Sequence, residues 1–230
     1  EHNRFVNNAS GSALMFSFRL TARHNVFHSN RTQRGYGLLL QTMDDSRFVD
    51  NRLTENSTGF YVENSTANTF EKNIIAANYR GLRFTGSSME NRFSRNVIRG
   101  NLRTASVAGA SATNEWQMDG VGNHWGPRGL LDLNSDGISE LPHRTVDLLG
   151  GRRDNFAYVD LLGASPGLTL LEEALQRAAA LDVPTITDEH PLMRPSVRTA
   201  TDEGRGSSGL FAACLILFAG GMAVLWSYRL

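Results

Sequence analysis

Several things are scarce in this chain, and each scarcity narrows its chemistry. There is one cysteine, Cys214, in 230 residues. No disulfide can form within the chain, and no compartment follows from cysteine usage. Lysine occurs once, at Lys72, and 23 basic residues balance 23 acidic ones. Zero formal charge, with the arginines scattered, gives no electrostatic case for a nucleic-acid partner. No Gly-x-x-x-x-Gly-Lys-Ser/Thr loop is present to hold a nucleotide phosphate. Carboxylates do not gather either. Asp44, Asp45 and Asp50 stand together, but one repeat after Asp50 comes Lys72 and then Arg95. A polysaccharide hydrolase or lyase needs its acid and base on one face, so the chain is expected not to be an enzyme.

Asparagine is abundant, and in a fixed phrase. Asn91-Arg92-Phe93-Ser94-Arg95-Asn96-Val97-Ile98-Arg99-Gly100-Asn101 is its cleanest copy, preceded by Asn68-x-Phe70-x-x-Asn73-x-Ile75-x-x-Asn78 and Phe48-x-x-Asn51-x-Leu53-x-x-Asn56. Weaker copies begin at Asn3 and Asn25, and an altered one at Asn114-x-Trp116. The aromatic positions 5, 27, 48, 70, 93 and 116 lie 22, 21, 22, 23 and 23 residues apart. Apolar residues alternate within each period, which reads as short strands with one buried face. One repeat cannot bury that face alone, whereas stacked repeats bury one another's. The expected fold is all-β: a right-handed parallel β-helix solenoid, followed by a short helical region and a C-terminal transmembrane helix. The aromatics at 27, 48, 70, 93 and 116 are expected to form one inner ladder, and Val62, Phe84 and Val107 a second. Asparagines are expected at corners, in left-handed backbone conformation, with Gly59 and Gly81 making further bends.

Five segments follow. Residues 1–118 are the repeats, expected to be N-terminally incomplete because Glu1 falls almost on a repeat. Residues 119–146 form an end-of-solenoid loop containing Asp132-x-Asn134-x-Asp136-Gly137 and Glu140. Three oxygen side chains on a tight turn suit a hard cation such as calcium, with Asp132, Asn134, Asp136 and Glu140 as ligands. Position twelve of the loop is His143 rather than Glu, and an Asx-rich turn without metal reads equally well. Residues 147–195 are a helical partner-docking region. Ser165-Pro166 opens a helix, and Leu168, Leu171, Leu175 and Ala178 recur at helical spacing to pack on the solenoid end or on a partner. Residues 196–208 are a polar linker. Residues 209–228 are 20 uncharged, mostly apolar residues, long enough to cross a bilayer, with Trp226 and Tyr228 at an interface. The arginines flanking that span do not by themselves place the solenoid outside.

Three stretches resemble the NosD family, the periplasmic maturation proteins of nitrous-oxide reductase. They are the Asn-x-Phe-x-x-Asn solenoid; Gly122-Asn123-His124-Trp125-Gly126 leading through Asp132-x-Asn134-x-Asp136-Gly137-Ile138-x-Glu140-x-Pro142; and Ala164-Ser165-Pro166-Gly167-Leu168 with the later His190-Pro191-Leu192-Met193-Arg194-Pro195. His124 and His143 stand where the family usually has Tyr. The resemblance implies an accessory protein that helps supply copper and sulfide to the reductase's copper–sulfur centre. Its implied partners are an ABC-type ATPase and membrane subunit, a copper chaperone, and the apo reductase. Its implied place is the periplasm, with the C-terminal helix as inner-membrane anchor. Transient copper is the implied cargo, for which soft sulfur and imidazole are suitable donors. Met118 with His124, His24 and His28 with Met43, and His190 with Met193 are candidate ligand sets, each with a purely structural alternative. A membrane-tethered β-helix binder or degrader of polysaccharide is the alternative function.

Overall fold

In the computed structural model of the chain, the residues described are 1–32, 35–110, 113–126, 131–147, 165–167, 170–171, 174 and 185–197. Period-two alternation becomes three short strands per coil. The first coil gives β1 (Arg4–Val6), β2 (Ser12–Phe18) and β3 (Thr21–Arg23). The second gives β4 (Val26–His28), β5 (Leu38–Asp44) and β6 (Arg47–Val49), and the third β7 (Arg52–Thr54), β8 (Thr58–Glu63) and β9 (Thr69–Glu71). The fourth gives β10 (Ile74–Ala76), β11 (Arg80–Ser87) and β12 (Arg92–Ser94), and the last begins with β13 (Val97–Arg99) and β14 (Arg103–Ala110). Each strand pairs in parallel with its counterpart one coil on, making two five-stranded sheets and one four-stranded sheet. The result is the expected parallel β-solenoid. Coil bonding continues beyond the last named strand: Phe93 N donates to Glu115 O, and Ile98 N to His124 O.

The aromatic ladder departs from its expected membership. Phe48, Phe70, Phe93 and Trp116 stack face to face with ring centroids 5.1, 4.4 and 4.4 Å apart. Phe27 belongs to another face. It pairs with Phe5 below and Leu53 above, in the column that continues as Ile75 and Ile98. The even spacing from 27 to 48 arose because two faces use the same phrase, each needing a buried Asn followed two residues later by an inward side chain. The true coil lengths, read between successive ladder asparagines, are 22, 26, 22, 23 and 27 residues. The second inner ladder is as expected: Val62, Phe84 and Val107 are in register, with Leu40 before them.

The ladder asparagines do line the corners, but not in the left-handed conformation expected of them, which among the described asparagines only Asn7 and Asn64, outside the ladder, adopt. His2, His24, Asp50, Lys72 and Arg95, each just before a ladder asparagine, carry that conformation, with φ of 59°, 57°, 52°, 56° and 59°. The left-handed residue points outward, so its identity is free. The next side chain points inward, where only an amide can both accept from one coil and donate to the next. Asn51 N and Nδ2 donate to Asn73 Oδ1 at 3.0 and 3.1 Å. Asn73 Nδ2 in turn donates to Asn96 Oδ1 at 3.0 Å and to Phe48 O at 2.8 Å. Bonds at buried sites, each worth on the order of 1 kcal/mol net, offset corner strain of similar size per residue. Gly59 and Gly81 make no bend. They lie at strand starts where the coils press together, and a Cβ there would sit 2.5 and 2.6 Å from the Gly81 and Thr104 carbonyl oxygens.

Past the solenoid, β15 (His143–Val146) pairs antiparallel with β16 (Thr185–Asp188). Val146 and Ile186 are buried, and Ile186 joins the solenoid core. Pro166, Gly167, Leu170, Leu171 and Ala174 are helical. Leu171, from the expected apolar stripe, is 50% exposed, so it does not bury against the solenoid. Leu168, Leu175 and Ala178, most of the linker, and the span expected at 209–228 lie outside the described residues. Among the described residues no helix is long and apolar enough to cross a membrane.

Candidate functional site

The segments that interrupt the repeat come together as a cap on the C-terminal end of the solenoid. The asparagine ladder reaches Asn123, whose Oδ1 accepts from Asn96 N and Nδ2. Among the described residues no further coil follows to accept from Asn123, and Asp188 takes that place. Its Oδ2 accepts from Asn123 N at 2.7 Å, from Trp125 Nε1 at 2.8 Å and from Asn123 Nδ2 at 3.3 Å, while its Oδ1 accepts from His190 N at 3.0 Å. Gly122 is required because a Cβ there would lie 2.0 Å from Asp188 Oδ1. The Gly122-Asn123-His124-Trp125 phrase is thus a carboxylate clamp.

The closing phrase acts as a staple. Gly122 N donates to His190 O and Leu192 N to Asn123 O, while Ser139 N donates to Pro191 O and Met193 N to Gly137 O. One extended segment therefore ties the coil end to the Asp-rich loop.

Burial sets the protonation of two groups in the cap. Asp188 is fully buried, and desolvation pushes its carboxyl above the usual carboxylate value, opposed by the four N–H donors. His143 stacks on Trp125, ring centroids 4.6 Å apart, and desolvation lowers its pKa from 6.5 to about 4. The folded state thus keeps His143 neutral where the unfolded chain takes up a proton. Stability contributed by His143 is present above pH 6.5 and lost as pH falls towards 4, by on the order of 3 kcal/mol. Asp188 acts with the opposite sign, because a raised carboxyl pKa favours the fold on the acid side. His143→Tyr keeps a ring on Trp125 and removes the imidazole titration, together with the 3.1 Å contact between His143 Nε2 and Thr145 Oγ1. Urea unfolding of the wild type and His143→Tyr at pH 7 and pH 4 should show the wild type losing about 3 kcal/mol relative to the variant. Parallel pH profiles would place His143 in solvent.

The sequence-derived ligand sets fare differently. In the Asp-rich loop, Asp132 Oδ2 accepts from Gly137 N, Asn134 Nδ2 donates to Asp136 Oδ2, and Asp136 Oδ1 accepts from Ile138 N. Glu140 accepts from Leu133 N and Asn134 N. The loop is held by hydrogen bonds of its own, with Asp132 Oδ1 buried and lacking a partner. His124 is buried and its Nδ1 donates to Leu192 O at 3.0 Å, so it serves the cap. Met118 closes a tight turn through two backbone bonds with Val121. Met43 is fully buried in the solenoid core, whereas His24 is exposed and His28 half-buried. His28 has both ring nitrogens at hydroxyls, Nδ1 with Thr54 at 3.0 Å and Nε2 with Ser29 at 3.2 Å. His24 does not share its face: it sits on the corner before β4 and stacks on His2, 22 residues earlier. Among the described residues, no three His, Cys, Asp or Glu side chains gather to hold a metal ion.

Sequence reading missed Asp188 and the pairing of His2 with His24. A signal for the first existed: an asparagine ladder that stops needs a last acceptor, and the extended segment before His190-Pro191 carries an Asp.

A family model described as a periplasmic copper-binding protein (NosD) matches residues 1–128. A protein of Stutzerimonas stutzeri described as a probable ABC transporter binding protein NosD is 27% identical over 212 residues, covering 85% of this chain and 48% of its own length. The chain spans about half the length of that curated relative.

Proposed function

The chain belongs to the NosD family of periplasmic copper-binding proteins, and on that premise we propose that it is an accessory arm for maturation of nitrous-oxide reductase. In this reading the solenoid is a rigid periplasmic body that assists copper and sulfide supply to the copper–sulfur centre. An ABC-type ATPase and membrane subunit work beside it, and copper comes from a chaperone. The relative's description as an ABC transporter binding protein supports the transporter association. The helix around Leu170 and Leu171, two leucines exposed on this chain, would lie against the membrane subunit, and the span at 209–228 would anchor the arm. Copper is cargo here, not a resident cofactor.

The observation that carries the reading is the family match through residue 128, which runs past the Gly122-Asn123-His124-Trp125 clamp. The polysaccharide alternative gains no support. The corner column runs His2, His24, Asp50, Lys72, Arg95, each residue donating its backbone N–H to the next coil, so carboxylates do not line up there.

Deleting the gene and measuring copper and acid-labile sulfide in the purified reductase tests the reading. The expected result is a reductase deficient in the copper–sulfur centre and restored by the wild-type gene. A full centre in the deletion strain would end the maturation reading.

A further inference from the structure

We propose that Arg103, with Arg80 beside it, forms a binding site for a small oxyanion of the phosphate or sulfate type near the C-terminal end of the solenoid. Arg103 is only 9% exposed. Its Nε is buried without a hydrogen-bond partner, and none of the ion pairs among the described residues includes it. Taking a guanidinium out of water without a counter-charge is costly, and buried charges are paired as a rule. Arg80 makes the deficit larger. It stands directly opposite Arg103 in the β11–β14 pair, so both side chains leave the sheet on the same side, with backbones about 4.8 Å apart. Like charges opposite one another in adjacent strands repel. The coil before offers Thr58 at that position, so the column is cationic only in its last two members. Arg80 has contacts of its own and lies over the Tyr79 ring, 5.6 Å from its centroid; the unmet demand is that of Arg103.

A guanidinium offers N–H donors in a planar fork that matches two oxygens of one oxyanion, and such charge-assisted bonds are the stronger kind. Two cations side by side suit an anion with more than one negative charge and with oxygens pointing in several directions. That favours tetrahedral phosphate or sulfate over a carboxylate. The small exposed area of Arg103 limits the ligand as well: a small ion can reach such a side chain, and the surface of a folded partner cannot. The frame is rigid. Arg103 N donates to Tyr79 O at 2.9 Å and Arg80 N to Ser57 O at 3.0 Å, so each residue is bonded into the coil behind it. Asn101, two residues before Arg103, is locked in the ladder by accepting from Asn78 N and Nδ2 at 2.9 and 3.0 Å. The site is independent of the maturation reading, which falls only on the metal content of the reductase from the deletion strain.

The test is calorimetric titration of the chain with sodium phosphate and with sodium sulfate in a zwitterionic buffer, with chloride and acetate at equal ionic strength as controls. A single phosphate or sulfate per chain is expected, and chloride and acetate should bind far more weakly. Arg103→Met should weaken phosphate binding by about tenfold or more, the equivalent of one lost charge-assisted hydrogen bond. Arg47→Met, which removes an exposed guanidinium, should leave binding unchanged. Arg103→Lys keeps the charge without the fork and should bind more weakly than the wild type. Urea unfolding separates a ligand site from a structural one. Phosphate should raise the wild-type midpoint and leave that of Arg103→Met where it is. Without phosphate, Arg103→Met should be at least as stable as the wild type, because it removes an unpaired buried charge and keeps most of the side-chain volume. A less stable Arg103→Met in phosphate-free buffer would mean that the protein itself satisfies Arg103. That result, undiminished phosphate binding by Arg103→Met or Arg103→Lys, or chloride bound as tightly as phosphate would each overturn the site.

Discussion

Phe93→Ala is expected to cost about 3–5 kcal/mol of stability. The ring is fully buried and lies between Phe70 and Trp116, centroids 4.4 Å from each. Phe84 adds an edge contact at 5.7 Å. Removing the ring opens a cavity at the last joint of the aromatic stack. The neighbours cannot close over it, because their positions are set by backbone bonds between coils. In a solenoid each coil is stabilised chiefly by the next one, so the damage falls on the coupling between the body and its cap. Urea unfolding should show a lower midpoint with little change in slope. Phe18→Ala, which removes a side chain that is 69% exposed, is the matched control and should stay within about 0.5 kcal/mol. If Phe93→Ala behaved like Phe18→Ala, the ladder would not be the core.

The same ladder shows what local sequence can and cannot convey. Alternation is local, so the strands, the column Val62–Phe84–Val107 and the stack from Phe48 to Trp116 were all legible. Assignment to a face is not local. Phe27 and Phe48 carry the same phrase, and only the pairing of coils separates them, Phe27 on Leu53 and Phe48 on Phe70. The 26-residue second coil against its 22-residue neighbours hid that difference. The left-handed corner was misplaced by one residue for a related reason. Intrinsic preference points to Asn, but the inward amide bonds are worth more there, and the strain moves to whichever residue precedes it. The cap was legible as a set of phrases and illegible as a structure. Asn123 and Asp188 are 65 residues apart in sequence, and no period connects them. The pairing of His2 with His24 follows from coil register, which was within reach, yet the nearer His28 drew the sequence reading away from it.

Asp188→Ala is expected to unfasten the cap, at a cost of about 3–5 kcal/mol, because it strands buried donors rather than removing a contact. Three groups lose their acceptor: Asn123 N, Trp125 Nε1 and His190 N. Asn123 cannot turn to another partner, since its Nδ2 already donates to Phe93 O and Trp116 O. Water can satisfy these groups only if the β15–β16 pair lifts away, which uncovers Ile186 and Val146, both buried in the intact protein. The loss should therefore be local first. Hydrogen exchange should quicken at the amides of β15, β16 and the 190–193 staple while the ladder amides from Asn51 to Asn78 keep their protection, and Trp125 fluorescence should move towards that of solvated indole. Asp188→Asn separates charge from shape. It keeps one acceptor but turns an NH2 group towards an N–H donor, so most of the loss should remain. If Asp188→Asn were as stable as the wild type, the second carboxylate oxygen would have no part in closing the solenoid. An uncapped end also exposes coil edge groups that can pair with another chain, so Asp188→Ala should associate with rising concentration in light scattering where the wild type does not.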